Sequence, residues 1–186
     1  GRNYMRHVTG SVYAVFDEPV YMNRGTVMAG IVQDEAKNNP ERGFVGGYEL
    51  ETISLGLPFY ATFFNPGGWG KEFASYMDNY TKTAGLWIVG EDMPQATNRV
   101  TLNKESLDQL GLPVPNVHYD DHPNDVAMRD HAFKQSVALY DAAGAKQSFK
   151  TPPYPSTHNL GTCRMSENAE DGVCNSYGQT HDIDNL

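Results

Sequence analysis

Strand-like segments and turns fill most of the first 120 residues, and the longest helical pattern comes only after them. The segments are short runs of β-branched and aromatic residues, bounded by glycine, proline or acidic residues. They lie at 10–16, 26–32, 48–53, 85–91 and 98–102, with a further short strand ending at Asp120. Because the strands do not alternate with helices, the order favours antiparallel pairing over a parallel sheet.

Two helices are predicted, a shorter one over Lys71–Tyr80 and a longer one that begins near His122 or Pro123. In the longer helix, apolar residues recur every three to four positions, which marks a buried face, and Gly144 is a natural C-terminal cap. The face consists of Val126, Phe133, Val137 and Tyr140. The predicted fold class is therefore α+β, a mostly antiparallel β-sheet covered by helices.

An aromatic run over Leu57–Phe64 precedes a glycine-rich turn and the shorter helix, which is the setting of a nucleotide-binding motif if the run is a strand. The glycine pattern does not match. Phe73 stands where the third glycine of a dinucleotide fingerprint belongs, and Glu72 follows Gly70-Lys71 where a P-loop needs serine or threonine. The glycines are interpreted as a turn.

Composition narrows the class of protein. The 186 residues carry a formal net charge of -9, which argues against binding to nucleic acid, since phosphates require clustered Lys and Arg. No apolar run approaches the length of a membrane span, so no transmembrane segment is expected and the chain is predicted to be soluble. The length suits one domain.

The stretch Ser156–Ser166 carries the strongest candidate for chemistry, His158. A proline-rich run over 151–155 precedes it and favours a stiff, extended approach, while Gly161 permits a close backbone contact or a positive φ. This pattern is typical of a histidine presented to a ligand as a general base. Taken alone, one histidine is weak evidence, and the pattern is also explained by a histidine that is hydrogen-bonded locally in a loop.

The residues His158-Asn-Leu-Gly-Thr-Cys-Arg-Met165 resemble the His-x-x-Gly-Thr-x-x-Met signature of the glucose-methanol-choline (GMC) oxidoreductases. Further segments resemble the same family in order along the chain. The family pattern Gly-x-Asn-Leu-x-Asp-His is similar to Gly1–His7, where Arg6 replaces the usual acid. The other similar segments are 98–102 with Pro113 and Pro115, 171–175, Tyr177-Gly178 and 183–186.

The resemblance implies that residues 1–186 form a single substrate-binding domain of a larger FAD-dependent enzyme, whose FAD domain would be a partner within the parent chain. In such enzymes FAD accepts hydride from an alcohol or sugar while the histidine takes the hydroxyl proton. That assigns His158 as the catalytic base, with Asn159 shaping the substrate site, and a second catalytic His or Asn beyond Leu186. The fragment alone is expected to be inactive and to bind FAD poorly. Similarity of 157–165 and 178–183 to sugar and sugar-acid dehydrogenases favours a quinone or cytochrome acceptor.

Other histidines, cysteines and acids offer weaker metal-binding alternatives, and no metal site is predicted. His118, His122 and His131 straddle a strand-to-helix turn, and the set His158, Cys163, Cys174 and His181 matches no common zinc spacing. The acids at 120, 121 and 125 are interpreted as capping the following helix. Cys163 and Cys174 are expected to be free thiols, although a disulfide is possible. The alternative function is a non-catalytic acidic binding module with a structural or metal-binding Cys/His cluster.

Overall fold

The structure, a computed structural model, describes residues 1–153 and 156–186. The chain divides into two compact units. We name them the sheet unit, made of His7–Glu91 and Pro123–Ser156, and the ribbon unit, made of Gly1–Arg6, Asp92–His122 and Thr157–Leu186. The interpretation of 1–186 as a single substrate-binding domain stays a prediction.

Helices and strands alternate little along the chain. The strands are β1 Val8–Val15, β2 Ile31–Val32, β3 Tyr48–Thr52, β4 Thr83–Gly90, β5 Arg99–Leu107, β6 Pro113–His118 and β7 Gln147–Lys150. The α-helices are α1 Leu57–Phe64, α2 Gly70–Asp78 and α3 Pro123–Ala142. Short 3-10 turns lie at Met22–Arg24, Pro40–Arg42 and Tyr80–Lys82.

The sheet unit is built on a five-stranded antiparallel sheet in the order β2-β3-β4-β1-β7. β4 lies in its centre and pairs with β1 from Val8↔Gly90 to Val15↔Thr83. All of these pairings are antiparallel, and helices accompany the sheet. The α+β prediction is therefore confirmed.

Two apolar clusters fix the helices on the sheet. One joins Val12 and Ile88 to Met128 and Ala132 of α3, and all four are fully buried. The other gathers aromatic rings around Tyr13, whose ring lies 5.5 Å from that of Tyr60. Because successive strand residues point to opposite faces, Val12 and Tyr13 serve different clusters.

Several sequence predictions need correction. The strand predicted over 26–32 is only Ile31–Val32. The run 57–64, treated as a strand in the nucleotide-motif test, is helix α1, and a proline in its first turn is compatible with a helix start. Strand β7 was not predicted.

The buried face of α3 is also displaced from the predicted one. Val126 is 38% exposed, whereas Asp125 and Arg129 are buried. Phe133 and Tyr140 are buried as predicted, and Val137 packs against the cluster while partly exposed. The periodicity was right in spacing but wrong at its first residue, because apolar type alone does not decide which side chain faces the sheet.

The ribbon unit contains a two-stranded antiparallel sheet, β5 with β6, and irregular segments tied to it. Asn98 is 1% exposed, and its side-chain amide forms two hydrogen bonds of 2.9 Å with the backbone of Asp120. The Tyr4 N–H donates to the Asn98 carbonyl at 2.9 Å, and the Val100 N–H to that of Gly1 at 2.8 Å. These hydrogen bonds hold the first residues of the chain alongside the start of β5.

Within residues 1–153 and 156–186, no helix combines the length and apolar character needed to cross a bilayer.

Candidate functional site

His158 lies in an irregular segment of the ribbon unit, and its side chain is exposed. Two residues later, Leu160 exchanges a pair of backbone hydrogen bonds with Met5, at 2.9 Å and 3.0 Å. Paired backbone bonds restrict both segments as they do in a sheet. The histidine is therefore presented from a segment that is held on its C-terminal side.

Gly161 lets this segment run against the N-terminal one. Its φ is +90°, and a Cβ there would lie only 2.0 Å from the carbonyl oxygen of Asn3. Asn3 itself adopts a φ of 61°, a left-handed conformation that asparagine tolerates better than most residues. The close approach and positive φ predicted for Gly161 both occur, and the backbone it approaches is that of Asn3.

Asn159, the predicted substrate-binding residue, is exposed and has a defined partner. The Tyr4 hydroxyl donates to its Oδ1 at 2.5 Å. Because Tyr4 bonds the amide oxygen, it does not occupy the Nδ2 donors of Asn159.

A cavity of about 490 Å³ opens beside this segment. It is lined by Asn3, Met5, Pro94 and the run 159–164. His158 does not line it, although its neighbour Asn159 does. Its lining residues include Asn3, Asn159, Thr162 and Arg164, whose side chains carry hydrogen-bond donors suited to a ligand with oxygen acceptors.

Arg6, which departs from the family pattern, joins a cluster of aromatic and acidic groups in the ribbon unit. Its guanidinium carbon lies 4.2 Å from the centre of the Tyr119 ring and a nitrogen lies 3.7 Å from Asp121. Its backbone N–H donates to Asp92 Oδ2 at 2.6 Å. Burial, together with the nearby Asp92 carboxylate, raises the pKa of the Tyr119 phenol well above its usual range. Tyr119 thus stays protonated and donates to Asp92 at 3.4 Å.

The segment after His158 folds back on itself. The backbone of Cys174 forms isolated β-bridges with Met165 and with Thr180. The Ser166 hydroxyl lies 3.3 Å from Nε2 of His181. Both cysteines are free thiols, Cys163 exposed and Cys174 buried, as expected. The Cys174 thiol lies 3.5 Å from the Cys163 carbonyl oxygen.

The metal alternatives find no support in the part of the chain that the structure describes. His118 pairs with Asp120 at 3.0 Å, and His131 lies 2.9 Å from the hydroxyl of Tyr48. Across residues 1–153 and 156–186, no three His, Cys, Asp or Glu side chains are grouped as a metal site would need.

Two further features of the sequence are the histidine that ends the N-terminal family pattern and the proline-rich run over 151–155. His7 belongs to the sheet unit, with a φ of 66° and its Nδ1 3.3 Å from the Gly90 carbonyl oxygen. Of the stiff lead predicted over 151–155, Thr151 is buried and its N–H donates to the Ser11 carbonyl at 3.0 Å. Tyr154 and Pro155 lie outside the described residues.

Sequence reasoning gave Tyr4 no role, although the structure places its hydroxyl on Asn159. One signal was available, because Tyr4 stands at the leucine of the family pattern and Arg6 at its acid. Both departures contact Tyr119, with the Tyr4 and Tyr119 rings meeting edge to face at 6.0 Å. Two substitutions two residues apart were thus a hint of a shared contact.

Comparison with known proteins identifies the family of the chain. A sequence model of the GMC oxidoreductase family matches residues 94–186, which include His158 and the segments after it. The 2-methyl-1,2-propanediol dehydrogenase of Mycolicibacterium austroafricanum is 34% identical over 153 residues, covering 78% of this chain and 28% of that protein. The fructose dehydrogenase large subunit of Gluconobacter japonicus is 30% identical over 99 residues, covering 52% of this chain and 18% of that protein. The chain thus spans less than a third of either relative, and it belongs to the GMC oxidoreductase family.

Proposed function

We propose that this chain is the substrate-binding portion of an FAD-dependent oxidoreductase that oxidises an alcohol group, with His158 as general base. One observation carries the proposal: His158 is exposed in a segment whose backbone is held by Met5 and whose next side chain is held by Tyr4. An exposed imidazole on restrained backbone can meet a substrate in a repeatable orientation.

The reaction removes two hydrogens from the alcohol, one as a proton from the hydroxyl group and one as a hydride from the carbon. The hydroxyl proton passes to the neutral imidazole of His158 as the carbon–oxygen double bond forms. When bound, FAD supplies the acceptor for the hydride that leaves the carbinol carbon. An alcohol is a very weak acid, so a positioned base contributes roughly 10²–10⁴-fold in rate.

The residues around the cavity fit part of a flavin. Asn159, Thr162 and Arg164 offer N–H, hydroxyl and guanidinium donors, which suit the carbonyl oxygens of the ring system. The sequence has no glycine-rich dinucleotide fingerprint for the pyrophosphate. We therefore expect the phosphates to be held by the FAD domain of the parent chain, and the fragment alone to bind FAD weakly.

For the substrate we propose a sugar or another alcohol that carries more than one hydroxyl group. The names of the two relatives specify a 1,2-diol and a sugar as their substrates. Asn159, beside the proposed base, has the hydrogen-bonding capacity to recognise a further hydroxyl. A quinone or a cytochrome is proposed as the electron acceptor.

The test is anaerobic bleaching of the flavin absorbance in the full-length protein, with a panel of sugars, diols and simple alcohols. We expect the wild type to bleach with at least one of them. His158→Ala should slow that step by about 10²–10⁴-fold, because the proton then lacks a positioned acceptor.

His118→Ala is the matched control. His118 is exposed, pairs with Asp120 and lies 40 positions before the proposed base in sequence. Its replacement should leave the rate of flavin bleaching within about twofold of wild type. Equal bleaching in wild type and His158→Ala would remove His158 from the chemistry. A full-length protein without flavin would overturn the proposal as a whole.

A further inference from the structure

The side chain next to the proposed base is oriented by a residue from the N-terminal segment. The Tyr4 hydroxyl is 2.5 Å from Asn159 Oδ1, 155 positions away in sequence, and both residues belong to the ribbon unit. In this bond the phenol donates to the amide oxygen, which leaves the Nδ2 side of the Asn159 amide turned to other partners. In that orientation Tyr4 does not use the N–H donors of Asn159.

Tyr4 is itself restrained at two points. Its backbone N–H donates to the Asn98 carbonyl at 2.9 Å, and Asn98 is almost fully buried. Its ring meets the Tyr119 ring edge to face, with centroids 6.0 Å apart and planes at 89°. An edge-to-face pair fixes ring direction as well as distance, so the hydroxyl position is defined before any ligand arrives.

Tyr119 is restrained in turn. The Arg6 guanidinium covers its ring at 4.2 Å, and its hydroxyl lies 3.4 Å from Asp92, the carboxylate that also accepts from the Arg6 backbone. A continuous series of contacts therefore runs from Asp92 through Tyr119 and Tyr4 to Asn159. A side chain held by a supporting shell of this kind is typical of a residue that must meet a ligand atom in one geometry.

The far end of the series faces a ligand-sized space. Asn159 is exposed and lines the cavity of about 490 Å³, together with Thr162 and Arg164. Asn159 directly follows His158 in sequence, so the cavity that it lines begins one residue from the proposed base. A molecule that occupies this cavity can present an oxygen atom to the Asn159 donors.

We infer that Tyr4 is a positioning residue, which holds the Asn159 amide so that its N–H donors meet an oxygen acceptor of the molecule bound beside His158. The inference rests on the proposed function and adds to it the residue that sets the orientation. The acceptor oxygen has two sources of the same chemistry, a second hydroxyl of the substrate or a carbonyl of the flavin ring.

The experiment compares the full-length wild type with Tyr4→Phe, which removes the hydroxyl and keeps the ring on Tyr119. We expect kcat/KM to fall about 3- to 10-fold, the effect of one hydrogen bond. The substrates are a 1,2-diol and the simple alcohol of the same carbon length. The second readout is the midpoint potential of the bound flavin.

The two readouts identify the source of the oxygen. A fall for the diol with little change for the simple alcohol assigns the acceptor to the substrate. Equal falls for both, with a shifted flavin potential, assign it to the flavin. Equal falls with an unchanged potential would mean that Tyr4 only supports the fold, which overturns the inference.

A double-mutant cycle with Asn159→Leu tests whether Tyr4 acts through Asn159. In the Asn159→Leu background, Tyr4→Phe should have no further effect, and a full effect there would overturn the inference. Tyr177→Phe, at a residue 94% exposed, is the control and should match wild type. Wild-type activity with an equally active Tyr4→Phe refutes only the inference, whereas an inactive wild type refutes the proposed function.

Discussion

Gly161 and Asn3 approach so closely that a methyl group on Gly161 would lie 2.0 Å from the Asn3 carbonyl oxygen. Gly161 adjoins Leu160 and Asn3 lies two residues before Met5, so this contact stands beside the Met5–Leu160 backbone pair, which restrains the segment that carries His158. The glycine of the family signature therefore has a structural reason in this chain: it allows two backbones to pass each other beside the proposed base.

Gly161→Ala should disrupt this arrangement. A non-glycine residue at φ +90° costs about 1–2 kcal/mol, and the clash is with backbone, which cannot rotate away. Together we expect roughly 2–5 kcal/mol of local destabilisation. Hydrogen–deuterium exchange in the full-length protein should show faster exchange at the amides of Met5 and Leu160.

Gly178→Ala is the control that separates the cost of a positive φ from the cost of a steric clash with backbone. Gly178 has a similar φ of +81°, but a Cβ there meets no atom within 4 Å. It should therefore show the backbone cost alone and leave the Met5 and Leu160 amides unchanged. If both variants exchanged alike at those amides, the close approach would have no energetic consequence.

Arg6→Gln should weaken the ribbon unit. The Arg6 side chain is 18% exposed, it covers the Tyr119 ring, and its charge lies 3.7 Å from Asp121. The variant loses the partly buried cation–π contact with Tyr119 and leaves Asp121 without this cation. We expect the free energy of unfolding to fall by roughly 1–2 kcal/mol. A lower urea midpoint for the full-length protein would show it.

Lys146→Gln is the matched control, since it removes a cation from an ion pair that is exposed on both sides. The pair with Asp17 has a distance of 2.8 Å, yet its side chains are 62% and 69% exposed. Solvent screens such a pair, so the midpoint should not move measurably. A loss for Lys146→Gln equal to that for Arg6→Gln would remove the special role of the Tyr119 contact.

The sequence predicted the fold class because strand-like runs and one long helical period are local patterns. It misassigned 57–64 because aromatic residues favour strands, whereas Pro58 and packing against Tyr13 stabilise a helix there. It placed Val126 in the core, although Asp125 is the buried residue. Such a choice depends on the rotation of the helix against the sheet, and the spacing of apolar residues does not fix it.

In the candidate site, too, local features were predictable from the sequence and long-range contacts were not. His158 and Gly161 were found because each carries chemistry or backbone freedom that is visible in one residue type. The Tyr4–Asn159 bond spans 155 positions and needs the N-terminal segment to pair with Leu160. Pairings at that separation are a property of the tertiary structure, so no local pattern could reveal them.

Gly85→Ala should destabilise the centre of the sheet. A Cβ at Gly85 would lie 2.7 Å and 2.9 Å from atoms of the Tyr13 ring and 3.1 Å from Ile53. The Tyr13 ring is fully buried and packs against Tyr60, so it has little room to move. Overpacking of this kind costs about 1–3 kcal/mol.

Hydrogen exchange of the β1 and β4 amides in the full-length protein would measure this loss. Gly25→Ala is the control, because a Cβ there meets no atom within 4 Å and its φ is -99°. Its effect should stay within about 0.5 kcal/mol. Unchanged exchange in Gly85→Ala would show that Tyr13 can shift without cost.

Tyr140 should make the fold sensitive to alkaline pH. Burial against the sheet raises the pKa of the Tyr140 phenol well above the value of about 10 that it has in an unfolded chain. A group whose pKa is raised in the folded state contributes its stability in full below pH ~10 and loses it as the pH rises further. The free energy of unfolding should therefore fall by up to about 1.4 kcal/mol per pH unit above ~10 for this group.

Tyr140→Phe removes that proton and should make the alkaline decline less steep by this amount. Urea unfolding of the full-length protein at several pH values from 9 to 11.5 would measure both slopes. Tyr177→Phe removes a phenol that is 94% exposed in the folded chain, and it should keep the wild-type slope. Because burial raises the pKa of Tyr48 and Tyr119 as well, the decline should be reduced in Tyr140→Phe and not abolished. If the slopes of wild type and Tyr140→Phe coincided, the buried Tyr140 phenol would not be a source of the alkaline instability.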